Sequence, residues 1–249
     1  MNRIKIEICC GSYEDVLIAE QSGADRVELN SAMFLGGLTA TLGCLIESKA
    51  NAKLPIMTMI RPREAGFYYS EYEYAVMKRD AQLFLEHGAD GLVFGFLNQD
   101  GTYDRARMKE FTDLCKAAGK EAVSHRAFDV TPDPFAALDT LIELGVTRVL
   151  TSGQQPSVIT GTQLIAELVT YAAGRIEILP GAGLDYTNIA QFVTQTGVDQ
   201  VHFAATTLRS ETSTAVNPNI YFGGMLYPRE DVVSVASRDI IQRTAAQLQ

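Results

Sequence analysis

The sequence predicts a single (β/α)8 barrel over residues 1–249, and three observations carry that prediction. The first is a phrase that returns along the chain: Gly23-Ala24-Asp25-Arg26-Val27, Gly88-Ala89-Asp90-Gly91-Leu92-Val93, Gly145-Val146-Thr147-Arg148-Val149 and Gly197-Val198-Asp199-Gln200-Val201. Each copy ends a stretch of helical periodicity and opens a short apolar run. Glycine there ends the helix in the left-handed conformation and the next residues enter a buried strand, so the phrase marks helix-to-strand joints. The second is that these joints divide the chain into eight strand and eight helix candidates in strict alternation. The third is that an open doubly wound sheet lacks its signature: Cys10-Gly11-Ser12 follows the first strand in place of GxGxxG, and no P-loop lysine pattern occurs.

The elements follow in order. The first strand, 4–10, puts Ile4, Ile6 and Ile8 on one face and Lys5, Glu7 and Cys9 on the other; Ser12 then caps a helix over 12–22. In a barrel the apolar face packs against helices, so the polar set looks inward. The second strand, 26–30, turns Arg26, Glu28 and Asn30 inward, and a helix over 39–51 follows. The third, 56–62, lines up Met57, Met59, Arg61 and, beyond it, Arg63; Ser70 opens a helix over 70–87 with Glu71 and Glu73 in its first turn. Strand 91–97 leads to helix 104–118, and strand 121–129 to helix 133–144. By parity His125 and Asp129 share a face and Arg126 takes the other. Strands 148–153 and 176–181 precede helices 160–173 and 186–196. The eighth strand, 200–205, turns His202 inward, and the remaining 206–249 reads as a Ser/Thr-rich loop to 228 plus an amphipathic terminal helix over 229–246.

Composition limits what the molecule can do. A formal charge of −9 repels phosphates and anionic surfaces, and no basic patch offsets it, so neither nucleic acid nor a membrane is an expected partner. The N-terminal Met1-Asn2-Arg3-Ile4-Lys5-Ile6-Glu7 runs directly into a strand pattern with no leader, which points to the cytoplasm. Cysteines 9, 10, 44 and 115 have neither the spacing of a disulfide framework nor a CxxC pattern, and reduced thiols are expected.

The inward polar residues gather at the C-terminal rim, where this fold places its sites. They are Glu7, Cys9, Glu28, Asn30, Arg61, His125, Asp129 and His202, and they include two of the three histidines. Buried charges need partners, so such a set at one rim suggests a site. Lower down, Lys5 and Glu177 are expected to form a structural ion pair. The loop Pro180-Gly181-Ala182-Gly183 and Ser152-Gly153-Gln154 offer further donors.

Several of these stretches resemble the CutC family. They are Met59-Ile60-Arg61-Pro62-Arg63 with Phe67-Tyr68-Tyr69-Ser70, Gly88 to Gly95, His125-Arg126-Ala127-Phe128-Asp129, Leu150-Thr151-Ser152-Gly153 and Pro180-Gly181-Ala182-Gly183, in order over about residues 4–205. The resemblance implies a TIM barrel, a cytoplasmic location, a homodimer in bacterial members, and a link to copper homeostasis with Cu(I) binding. Three departures stand out. Asn30 occupies a position where relatives often have cysteine, His202-Phe203-Ala204 replaces a His-Cys-Ser pattern, and Glu64-Ala65-Gly66 follows Arg61-Pro62-Arg63 where relatives have Gly-Gly-Asp.

Two functions are therefore expected as alternatives. In one, copper(I) is bound by Cys9 with His202 as second ligand, Met57 and Met59 being more distant candidates. In the other, an isomerase- or lyase-like enzyme acts on a small anionic or phosphorylated metabolite. There Arg61 clamps the anion, Arg63, Glu7, Asn30, Ser152, Gly181 and Gly183 contribute contacts, and His125 serves as acid or base oriented by Asp129 or Glu28.

Overall fold

The computed structural model describes residues 3–217, 219–223 and 229–248. Eight parallel strands form the barrel: β1 (Lys5–Cys10), β2 (Arg26–Leu29), β3 (Ile56–Met59), β4 (Gly91–Phe94), β5 (Glu121–Ser124), β6 (Arg148–Thr151), β7 (Glu177–Pro180) and β8 (Gln200–Phe203). They are ordered β7-β6-β5-β4-β3-β2-β1-β8. No backbone ladder joins β7 to β8; Gln200 Nε2 crosses that seam to Glu177 Oε2 at 3.1 Å. The helices are α1 (Tyr13–Gln21), α2 (Leu42–Asn51), α3 (Glu71–Glu86), α4 (Arg105–Ala117), α5 (Pro134–Leu144), α6 (Thr162–Ala172), α7 (Ile189–Thr196) and α8 (Arg238–Ala246). Gly145 and Gly197 end α5 and α7 at φ 74° and 70°, the left-handed geometry that the recurring phrase requires.

All eight strands are shorter than the runs the sequence predicts. The largest difference is in β5, expected to reach residue 129, which ends at Ser124. His125 turns the chain by accepting the Ala127 N–H on its own side chain, and Arg126–Val130 form a 3-10 turn. Strand parity therefore does not extend to Asp129. At the C-terminus, the expected loop opens with β9 (Thr206–Ser210), which pairs antiparallel with β10 (Val232–Ala236). Val232, Val233 and Val235 favour a strand over the first turns of the helix expected from 229, and the helix begins only at Arg238, capped by Ser237. Residue 218 and residues 224–228 of that stretch lie outside the described residues.

Outside the strands, the apolar residues of β1, β2 and the other strands merge with the helices into one large core. Inside the barrel, Met57, Met59, Val93 and Val123 make a separate apolar cluster on β3–β5, which removes the two methionines from the rim chemistry. The lower polar layer differs from the expected Lys5–Glu177 pair. Lys5 is exposed, and the buried cation is Arg148, which reaches Glu121 at 2.5 Å and Glu177 at 3.3 Å. Its guanidinium spans two strands, where a lysine on β1 would leave water only by giving up its own solvation.

Candidate functional site

Strand register builds the upper polar cluster. Pairing of β1 with β2 sets Cys9 opposite Glu28, and pairing of β1 with β8 sets Glu7 opposite His202. Glu7 accepts from Arg26 Nε through Oε2 and meets His202 Nδ1 through Oε1 at 2.8 Å. That leaves the other ring nitrogen, His202 Nε2, 3.9 Å from Glu28 Oε2. Ligand atoms from Cys9, Glu28 and His202 all lie within 4.8 Å of one another. Asn30, next inward after β2, donates from Nδ2 to Glu28 Oε2 at 2.8 Å and to Cys9 Sγ at 3.4 Å.

The loop after β2 adds a residue that strand parity does not reveal. Ser31 and Leu38 pair across its base, and Ala32, Gly36 and Gly37 take left-handed φ values of 45°, 84° and 83°. The resulting turn, Met33–Leu35, brings Met33 Sδ to 3.8 Å from Cys9 Sγ. Arg61 secures the loop by donating from Nη1 to the carbonyls of Leu35 and Gly37, both at 3.0 Å, and from Nη2 to that of Ala65 at 3.0 Å. Gly37 is constrained twice over, because a Cβ there would fall 2.5 Å from Asn30 Oδ1.

Burial and charge set the protonation of this cluster. Burial would raise the Glu7 carboxyl, but Arg26 and His202 outweigh it and hold the group far below the usual carboxylate range. Burial would depress His202, yet Glu28 and Glu7 reverse that and raise it, so an imidazolium is favoured. Glu28 is pushed up by burial, with His202 opposing. Burial and then the Glu28 charge raise Cys9 well above an ordinary thiol. In the resting state Cys9 is therefore an S–H that donates to Glu28 Oε2 at 3.5 Å. A metal has to displace that proton, and soft ions do so most readily.

The remaining predicted residues divide between places. Gly181 lies against His202: a Cβ there would come 3.0 Å from the ring. Gly183, at φ 94°, is occupied in its own loop, where its carbonyl accepts from Asn188. Asp129 accepts from Thr151 Oγ1, Ser152 Oγ, the Ser152 and Gln154 N–H groups, and Arg126 Nε, while Ser152 Oγ also reaches the Gln155 carbonyl. Those bonds tie the β6 loop to the turn after β5 and leave Asp129 no role in orienting His125. Glu28 belongs to the Cys9 cluster and does not orient His125 either. Arg63 is paired with Glu73 and bonded to the carbonyls of Glu64, Gly66 and Tyr68.

His125 stands apart, in contact with Phe67 at 4.8 Å between ring centroids. The Arg61 guanidinium lies over the same Phe67 ring, 5.5 Å from its centroid. Burial first, and Arg61 second, push His125 down to about 3, so its ring is neutral.

Comparison with known proteins identifies the family and the fold. The CutC family profile matches residues 4–207. A CutC family protein from Treponema denticola is 56% identical over 239 residues, covering 96% of each chain. The human copper homeostasis protein cutC homolog is 39% identical over 225 residues, 90% of this chain and 82% of its own. The solved structure of CutC from Streptococcus agalactiae superposes with a TM-score of 0.76 at 31% identity, covering 80% of this chain and 98% of that one. The Pyrococcus furiosus phosphoribosylanthranilate isomerase, at 12% identity and a TM-score of 0.56 over 98% of both chains, shares the barrel alone.

Proposed function

The chain belongs to the CutC family, and from that premise we propose that it serves copper homeostasis by holding Cu(I) through Cys9, Met33 and His202, with Glu28 beside them. The observation that carries this reading is the convergence of a half-buried thiol and thioether with a buried imidazole at one spot of the rim. Two sulfurs and one nitrogen form the soft, low-coordinate set that Cu(I) prefers over a harder ion. Glu7 fixes the imidazole through Nδ1 and presents Nε2 as the free ligand nitrogen, the arrangement by which carboxylates orient metal-binding histidines. Asn30, where relatives often have a second thiol, donates to Cys9 Sγ and so stabilises the thiolate that metal binding creates.

Because the thiol and imidazolium protons must leave, Cu(I) affinity rises with pH. The test is an anaerobic competition titration against a colorimetric Cu(I) chelator. One equivalent retained by the wild type and lost in Cys9→Ala supports the site, whereas weak uptake unchanged by the substitution rejects it. The same reading takes the protein to work as a cytoplasmic homodimer. In support of the dimer, the C-terminal arm leaves Leu208, Val216, Ile220 and Phe222 exposed as apolar surface; among the described residues no helix is long and apolar enough to cross a membrane. Light scattering of the purified chain decides the oligomeric state.

A further inference from the structure

Among the described residues, five buried side-chain atoms lack any hydrogen-bond partner: Asn30 Oδ1, Arg61 Nε, Tyr69 Oη, His125 Nε2 and Arg148 Nε. Buried polar groups are satisfied as a rule, so each exception asks for an explanation. Arg148 is compensated by two carboxylates at the bottom of the barrel, and Asn30 belongs to the Cys9 cluster. The other three are all capable donors; Arg61 and His125 both contact Phe67, and Tyr69 lies beside Arg61.

Arg61 is 7% exposed and makes no ion pair among the described residues; its three bonded contacts are neutral carbonyls. Carbonyls, the Phe67 face and the Tyr69 hydroxyl surround this buried charge, and with no carboxylate beside it the charge is open to an anion. His125 is fixed by geometry. Its Nδ1 faces the Ala127 N–H at 3.1 Å, a group that only donates, so Nδ1 must accept and the ring proton resides on Nε2. The unpartnered atom is thus an N–H. Phe67 lies in contact with the His125 ring and beneath the Arg61 guanidinium, which places both donors around one aromatic wall. Gly95 permits this packing, since a Cβ would fall 2.6 Å from His125 Cε1. The Tyr69 hydroxyl lies in the field of the same guanidinium.

We propose that the rim between β3 and β5 binds a small carboxylate, received by the Nε–H of Arg61 and the Nε2–H of His125 with its apolar part against Phe67. One uncompensated positive charge matches one negative charge, which favours a carboxylate over a phosphate dianion. In this role His125 is a hydrogen-bond donor, not a base, and its depressed protonation keeps it neutral throughout the physiological range.

The site is tested with acetate, pyruvate and benzoate as probes, and inorganic phosphate as the competing class, on the full-length protein. In the wild type, 15N NMR of labelled histidine should show saturable movement of the His125 Nε2 resonance with at least one carboxylate. His125→Asn keeps an acceptor for the Ala127 N–H but removes the Nε2 donor, and should weaken carboxylate binding by about tenfold or more, since hydrogen bonds to a charged group have that size. Its Cu(I) affinity should not change, which separates this site from the Cys9 cluster. Saturation by phosphate alone overturns the carboxylate assignment. Absence of saturable binding by every probe, or carboxylate binding that His125→Asn leaves intact, overturns the site.

Discussion

His202 and His125 stand at the same end of the barrel, both almost fully buried, and they are held in opposite states. His202 lies between Glu7 and Glu28, whose charges outweigh burial and favour the imidazolium. Among the described residues His125 has no carboxylate partner; burial and the neighbouring Arg61 keep it neutral. The loop 31–39 divides the two, giving Met33 to one side and two carbonyls to the other through Arg61. The lesson is that a rim rich in charge need not be one site. Partner sign decides what each histidine can do: in the proposed roles one serves as a metal ligand once its proton leaves, the other as a fixed donor.

The comparison breaks most severely at Cys9. Cys9→Ala should abolish stoichiometric Cu(I) binding while leaving the carboxylate response at His125 intact, measured on the same preparation. Next in size is Glu7→Gln, which leaves Arg26 buried without its carboxylate and should cost about 3–5 kcal/mol in urea unfolding. In protein that remains folded it should lower Cu(I) affinity by about 10- to 100-fold, because His202 loses its orienting partner. Met33→Leu conserves volume and should change stability by less than about 1.5 kcal/mol, yet measurably weaken Cu(I) retention against the chelator. A Met33→Leu variant that binds Cu(I) as tightly as the wild type would remove the thioether from the site.

The smallest effect sharpens the contrast through pH. The His125 pKa falls from an ordinary 6.5 to about 3 on folding. Its contribution to stability is therefore present above pH 6.5 and is lost as pH falls toward 3, by up to about 1.4 kcal/mol per pH unit. His202 has the opposite sign: raised on folding, it contributes below 6.5, and that contribution is lost as pH rises through its folded value. Urea unfolding between pH 4 and 6.5 should lose less stability per pH unit in His125→Asn than in the wild type. Equal slopes would mean that His125 titrates normally.

Much of the fold was legible because helix-to-strand joints repeat in glycine and in apolar pattern. Strand parity also turned Arg26, Glu28, Asn30 and His202 to the interior, where the structure has them buried. Parity lasts only as long as the strand. It misplaced Asp129, because His125 uses its own side chain to turn the backbone, and the strand ends five residues earlier than the apolar run suggested. Met33 was invisible for a related reason: a loop held by left-handed Ala32, Gly36 and Gly37 carries no periodicity, and its position depends on Arg61 from another unit. The β9–β10 hairpin was hidden by the polar composition of 206–228, although the Val232-Val233-Ser234-Val235 run that forms its second strand carried a β-branched signal.

The central claim is that two sulfurs and one imidazole nitrogen of a single rim meet on Cu(I). X-ray absorption at the copper edge of wild-type protein loaded anaerobically with one equivalent of Cu(I) tests it directly. The account predicts a three-coordinate Cu(I) spectrum with two sulfur scatterers and one nitrogen, and one sulfur fewer in Met33→Leu. A first shell of nitrogen and oxygen alone, or a sulfur count indifferent to Met33, would contradict it.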